Sequence, residues 1–398
     1  MPRSRAFLSL NLAHFCDHFV LMILPTARIA TGADYAESLS PATWAFAAFA
    51  VATLPAGWLG DRFGRVVLMR LYWFGTGAAC LLAGMAAGPW SLAAGLGLIG
   101  LFAPIYHPVA TAMVMGIQTE AGRALAVNGV WGNLGVAAAT LLTAILAGWV
   151  SWRAAFVVPG LVMLALGWHY ATIPASAQAV VHTGKEEPAD DSRHQMRVFG
   201  FIATSGLFGG LVFTGATIAL PKLLAERLPD AGLALVGVVA ALVFGAAAFA
   251  QLPVGRLLDR AGARPLLLAI EACKAPLLLA MAFAPGRWRR RPRLAGDAAG
   301  VRGNPDQAWL LGRYLGECWW SRAYAVQYLL SLGVAAGTVP LITALHRGTG
   351  DQTALFVVLA ACSTTILAST FLVPATARHP LASRPSRDHL LPVESADA

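Results

Sequence analysis

Apolar residues along this chain gather into runs of about twenty, the length an α-helix needs to cross a bilayer core of ~30 Å. The runs fall at residues 6–30, 43–60, 66–87, 89–116, 124–149 and 152–174, and again at 199–224, 232–254, 264–285, 323–346 and 352–374. In lipid every backbone N–H and C=O must find its partner within the segment, so runs of this length read as helices. The pattern predicts an all-α polytopic membrane protein, with six spans before and five after a polar stretch containing KEEPADDSRHQMR. The expected organisation is a first bundle at 1–175, a cytoplasmic linker at 176–197, a second bundle at 198–376 and a polar, disordered tail at 377–398.

Composition sharpens the class. Apolar residues make up 57% of the 398 and charged residues 12%, too few charges to cover a soluble surface. The net charge of +9 does not point to nucleic acid, because the cations flank the spans. Arg3 and Arg5, Arg62 and Arg65, Arg123, Lys185 to Arg197, Arg256 to Arg264, Arg313 and Arg322, and Arg378 to Arg387 occupy both termini and the even-numbered loops. Positive loops stay inside, which places these segments and both termini in the cytoplasm. The loop after the first span, TGADYAESLSPAT, carries acids and no Lys or Arg. The first run follows Arg3 and Arg5 as a signal peptide would, but it contains Asn11, His14, Asp17 and His18 and continues to about Ile29, so it is read as an uncleaved helix. Cys16, Cys80, Cys273 and Cys362 lie within spans and Cys318 in a loop, with neither metal-ligand spacing nor a disulfide framework.

The two parts of the chain repeat each other. GWLGDRFGR at 57–65 recurs as GRLLDRAGAR at 255–264, with Asp61 and Asp259 offset by 198 residues (259 − 61). GRALAV at 122–127 is echoed by SRAYAV at 321–326, and GVAAAT at 135–140 by GVAAGT at 333–338. Duplicated six-helix units are a common plan for secondary transporters. With Gly57, Asp61, Arg62, Gly64 and Arg65 in the first copy, and Gly255, Asp259, Arg260, Gly262 and Arg264 in the second, the motif resembles the loop signature of the major facilitator superfamily. That resemblance implies two six-helix bundles, twelve helices by design, a central cavity at the bilayer midplane and alternating access by rocking of the bundles. Physically, the glycines permit a tight turn and close helix approach. Asp61 can accept from a helix N-terminus or pair with an Arg across the cytoplasmic face. His14 and Asp17, with Tyr106-His107-Pro108, are similar to the fosmidomycin-resistance-type exporters of that superfamily.

One segment breaks the pattern. The repeat predicts a tenth helix from about residue 287, where five Arg lie between 287 and 293 and Pro292 interrupts them. Each Arg at a bilayer centre costs about 2.5–3.5 kcal/mol on the gentlest scale, so the stretch from Arg287 to Asp306 cannot span. Read one nucleotide later with GC-rich codons, it can encode AGVAALALLAMLLVFGAIPI, an uninterrupted apolar helix of the expected length. The expectation is a frame-shifted helix 10 with frame restored near Gln307. The rivals are a true eleven-helix protein and a re-entrant basic loop.

His14, Asp17 and His18 fall at i, i+3 and i+4, on one face of the first helix. Ionisable groups inside a span are costly and are functional candidates by default. Asp17 is read as a proton carrier with His14 or His18 as partner. His107, beside Pro108, is a second candidate in the fourth span. Asn128 and Asn133 in the fifth span are candidate hydrogen-bonding groups, while Gly129, Gly132 and Gly135 recur every third residue as a close-packing stripe. Glu271 and Lys274 read as a structural pair, and Gln327 and Tyr328 as the repeat-side counterparts of the polar group in the fifth span.

The fifth span lacks the Gly-Pro pattern of the superfamily's drug/proton antiporters. There is no phosphate-binding loop, metal-ligand spacing or nucleophile elbow, hence no enzyme, cofactor or metal is expected. The predicted function is proton-coupled transport of a small solute across a bacterial inner membrane by a monomer, with the direction open between export and uptake and export favoured by the resemblance. The alternative is a membrane component that does not transport, either frame-damaged or a scaffold.

Overall fold

The computed structural model describes residues 2–30, 41–117, 121–174, 192–227, 233–283, 310–311, 320–349 and 352–374. The anomalous stretch from Arg287 to Asp306, Arg313, Cys318, most of the central linker and the tail lie outside them. Among the described residues all regular structure is helical. The helices are α1 (Pro2–Ala30), α2 (Ala42–Phe63), α3 (Arg65–Gly84), α4 (Pro89–Phe102), α5 (Tyr106–Ile117), α6 (Ala121–Trp149), α7 (Ala154–Ala171), α8 (Ser192–Arg227), α9 (Leu233–Ala261), α10 (Ala263–Phe283), α11 (Trp320–Ser331), α12 (Ala335–Thr349) and α13 (Thr353–Ser369). Among the described residues, eleven stretches are long and apolar enough to cross a membrane, with α4–α5 and α11–α12 each forming one. They coincide with the eleven runs read from sequence. α8 begins at Ser192, so the last residues assigned to the linker are helical.

The outside of the bundle is apolar, as lipid requires. Val51, Leu71, Phe74, Leu142, Leu161, Leu242 and Phe249 face outward. Exposed tryptophans sit near helix ends: Trp44 and Trp58 on α2, Trp90 on α4, Trp149 on α6 and Trp168 on α7. That is where an indole keeps its ring in hydrocarbon and its N–H among headgroups.

The sequence repeat is also a repeat of shape. Gly64 ends α2 at φ 96° and Gly262 ends α9 at φ 79°, the two positive-φ glycines among the described residues. No Cβ penalty applies to glycine there, which allows the chain to reverse into the next helix within one residue. Pro55 and Pro253 stand inside the preceding helices at the same 198-residue offset (253 − 55). Packing repeats as well: α1 on α6 is matched by α8 on α11, and α3 on α7 by α10 on α13. Two seams join the first six spans to the later ones, α6 against α9 and α2 against α11.

The fourth span is broken. α4 stops at Phe102, a 3-10 turn covers Ala103–Ile105, and α5 restarts at Tyr106. Pro104 has no N–H to continue the ladder. Pro108 falls in the first turn of α5, where its missing donor has no intrahelical partner to lose. The 3-10 turn therefore ends at Ile105, two residues before His107.

Glu271 and Lys274 form the ion pair expected from their spacing, 2.5 Å apart, and Ser363 of α13 donates to the second Glu271 oxygen at 3.2 Å. The pair clamps α10 to α13. Removing one partner of a buried pair leaves an uncompensated charge at a cost of roughly 3–5 kcal/mol. Glu271→Gln is accordingly expected to lower the thermal midpoint of the purified protein. Glu271→Gln with Lys274→Met restores most of it, as a melting series would show.

Candidate functional site

Where α1, α5, α6 and α11 meet, polar side chains converge in an otherwise apolar interior. Asp17 lies thirteen residues from Ser4, about 20 Å along the helix at 1.5 Å per residue, so it stands deep in its span. It is fully buried, and His107 is 2% exposed. His107 Nε2 approaches Asp17 Oδ2 to 2.9 Å, at ion-pair distance but without hydrogen-bond alignment, and Asp17 Oδ1 has no hydrogen-bond partner. The sequence reading offered His14 or His18 as the partner of Asp17; the structure gives it His107 instead. His14 and His18 leave the same helix as Asp17, whereas His107 meets it from α5, across the helix–helix interface.

His14 and His18 complete the group, with ring centroids 4.8 Å apart and each within 5.6 Å of the His107 ring. His14 Nδ1 lies 2.7 Å from the backbone oxygen of Asn128, which makes it the protonated nitrogen of the neutral ring. A Cβ added to Gly132 would lie 2.6–2.9 Å from Nε2, Cε1 and Cδ2 of His14, which places that glycine over the imidazole face. The His14 ring also stacks on Tyr106, with centroids 4.9 Å apart at 24°. At Gly135 a Cβ would meet the Phe15 carbonyl oxygen at 2.2 Å. The glycine stripe of α6 thus does what its spacing predicts and admits α1 to close contact.

Asn128 ties three helices together. Tyr106 Oη donates to its Oδ1 at 3.1 Å, and its Nδ2 donates to Asn11 Oδ1 at 2.9 Å. Asn133 is buried with its Nδ2 unpartnered. From α11, Tyr328 lays its ring over His107, centroids 4.5 Å apart, and its hydroxyl shares a hydrogen bond with Thr111 of α5 at 3.2 Å. Phe213 of α8 and Phe49 of α2 close the group edge-on against His18 and His107. Thr111, Phe49 and Phe213 carried no signal in the sequence, because hydroxyl and aromatic residues are ordinary in spans.

No metal-ligand spacing is visible along the chain, yet one ring nitrogen each from His14, His18 and His107 lies within 4.8 Å of the others. Ligands drawn from two helices leave no local pattern to read.

The repeated motif forms a second contact, at the end of α2. Asp61 Oδ1 takes Arg65 Nη2 at 3.2 Å, and its Oδ2 takes Arg322 Nε of α11 at 3.5 Å. Arg65 Nε donates to Ser321 Oγ at 2.9 Å. Gly57 lies against α11 so closely that a Cβ there would fall 2.5 Å from Ala325 Cβ and 2.6 Å from the Ser321 carbonyl oxygen. The Arg62 guanidinium lies over Phe63. In the second copy Arg264 lies over Phe371, while the side chains of Asp259 and Arg260 fall outside the described residues, as does the burial of Gly255.

Against known proteins, residues 6–290 match the profile of the Major Facilitator Superfamily. No curated protein matches the chain in sequence. In structure it is similar to the human organic anion transporter MFSD10 (TETRAN), with a TM-score of 0.68 at 17% identity over 94% of this chain and 98% of that one. It is also similar to FucP in the outward conformation, with a TM-score of 0.66 at 14% identity over 94% and 100%. A variant of the E. coli fucose:proton symporter FucP gives 0.63 at 14% over 93% and 98%.

Proposed function

The chain belongs to the major facilitator superfamily and has the fold of its small-solute transporters, and from that premise we propose that it exchanges protons for a small solute at the Asp17–His107 pair. The observation that carries this reading is a carboxylate buried deep in a span, facing an imidazole at 2.9 Å and covered by Tyr328 of a later span. A lone charge there is costly, so the group is stable either neutral or paired. Gain or loss of one proton alters the charge of the site, and Tyr328 with Thr111 links that site to the α11 side of the seam.

Alternating access needs an element with two arrangements. Gly57, Asp61, Arg65, Ser321 and Arg322 supply a closed contact at one end of α2 and α11. Positive charge at that end assigns it to the cytoplasm of a bacterial inner membrane, with the site then reached from outside. Export follows from the resemblance of His14, Asp17 and Tyr106-His107-Pro108 to the fosmidomycin-resistance-type exporters, and the protein acts as a monomer.

The test uses everted vesicles carrying the protein, with an imposed proton gradient and a panel of small solutes. Solute-dependent dissipation of the gradient is expected. A complete lack of it across the panel rejects proton coupling. The same result, joined to a stable complex with another membrane protein, favours the second reading of a non-transporting component, toward which the Arg-rich stretch from Arg287 points.

A further inference from the structure

Three histidines and a carboxylate meeting inside a membrane protein have a chemistry beyond proton transfer. Imidazole and carboxylate together suit borderline first-row divalent ions, Zn²⁺ foremost, with Co²⁺ and Ni²⁺ of like preference. Among the described residues no cysteine joins the group, which disfavours the softer Cu⁺, and the nitrogen donors disfavour Mg²⁺ and Ca²⁺.

The arrangement meets the requirements of such a site one by one. One nitrogen from each of His14, His18 and His107 lies within 4.8 Å of the other two. Ligands around a tetrahedral ion at ~2.05 Å stand ~3.3 Å apart, so ring shifts of about an ångström close the group. Asp17 Oδ2 and His107 Nε2 are 2.9 Å apart, which sets a carboxylate directly against the histidine group. Ligating histidines characteristically give their second nitrogen to a carbonyl. His14 does so through Nδ1, 2.7 Å from the Asn128 oxygen, which leaves Nε2 as its donor lone pair. Asp17 Oδ1 is fully buried and has no hydrogen-bond partner. His14 and His18 are half-buried, which leaves an approach for an ion.

We propose that His14, His18 and His107 bind a first-row divalent transition ion of the Zn²⁺ type, with Asp17 against His107 supplying the counter-charge, and that this ion is the transported solute. Binding stands on the geometry alone; only the step from binding to movement rests on the transporter reading.

The experiment uses full-length protein purified without a histidine tag and titrated with Co²⁺. The expected result is one Co²⁺ per chain with the intense visible absorption of a four-coordinate ion. His18→Gln and His107→Gln each weaken it at least ~10-fold, the lower bound for disturbing even an outer partner of a metal site. His18→Cys keeps the ion and adds a near-ultraviolet thiolate-to-cobalt band, which a histidine of purely structural role would not yield. Absence of saturable Co²⁺ absorption in the wild type overturns the site, as does absorption unaltered in both glutamine variants, whatever the proton assay shows. Proteoliposomes containing a Zn²⁺-sensitive dye then test the cargo. Dye response lost in His18→Gln supports it, and Co²⁺ binding without Zn²⁺ passage overturns it.

Discussion

Asp17→Asn abolishes solute-linked proton movement while leaving the protein as stable as before or more so. The amide fills the volume of the carboxylate and keeps a hydrogen-bonding group toward His107, but it cannot carry a proton. A carboxylate with no exposed surface and an unpartnered oxygen gives up hydration for little in return. If Asp17 served only to hold α1 against α5, its removal would lower stability by the few kcal/mol typical of a broken buried pair. The two roles therefore move the thermal midpoint in opposite directions. The measurement pairs a pH-sensitive dye in everted vesicles with a melting curve on the same preparation. A variant that still acidifies or alkalinises the lumen with solute removes Asp17 from the coupling pathway.

The second large effect is expected at Gly57. A Val there has no room against Ala325 and the Ser321 carbonyl, and both obstacles belong to α11. One of them is backbone, which cannot swing away. Overpacking of this kind costs about 1–3 kcal/mol, and each 1.4 kcal/mol is a tenfold change in a two-state population. Gly57→Val should thus shift the protein by ~5- to 140-fold away from the state in which α2 and α11 touch, without disturbing the first six spans. The Asp61–Arg322 pair sits at the same seam but is weaker by this reckoning. The Arg322 side chain is 40% exposed and 3.5 Å away, and pairs of that kind contribute ~0–1 kcal/mol. Asp61→Asn is expected to act in the same direction with a smaller amplitude. Spin labels at the ends of α2 and α11 read the distance directly, and an unchanged distance distribution in Gly57→Val rejects the closed contact as a gate.

The spans were legible in the sequence because a bilayer imposes one length and one polarity on every crossing segment. Eleven apolar runs became eleven spans. The turn glycines were legible because Gly64 and Gly262 occur in a motif written twice. The 3-10 turn in the fourth span was not read from the sequence, where Pro108 was noted only as the neighbour of His107. Of the site, His14, Asp17 and His18 could be read from one helical face, whereas the pairing of Asp17 with His107 could not. Interhelical partners are set by which helices pack and by rotation about their axes, and neither leaves a mark at short sequence range. Tyr328 was visible only as the counterpart of a polar group in the other repeat, and its place over His107 comes from the α5–α11 contact. Arg322 was one of several loop cations until Ser321 and Ala325 were seen against Gly57.

The confinement of His14 has a thermodynamic consequence. Its ring is packed against Gly132 and Tyr106 and tethered through Nδ1 to Asn128, so it has no rotamers left to lose. The entropy that a free imidazole surrenders on meeting a ligand was already surrendered when α1 and α6 assembled. Preorganised sites bind more tightly for that reason, not through additional contacts. Affinity at this site is therefore a property of a helix–helix contact many residues long. A methyl group added far along the α6 glycine stripe would loosen the ring's confinement and weaken binding, although no atom that touches the solute had changed.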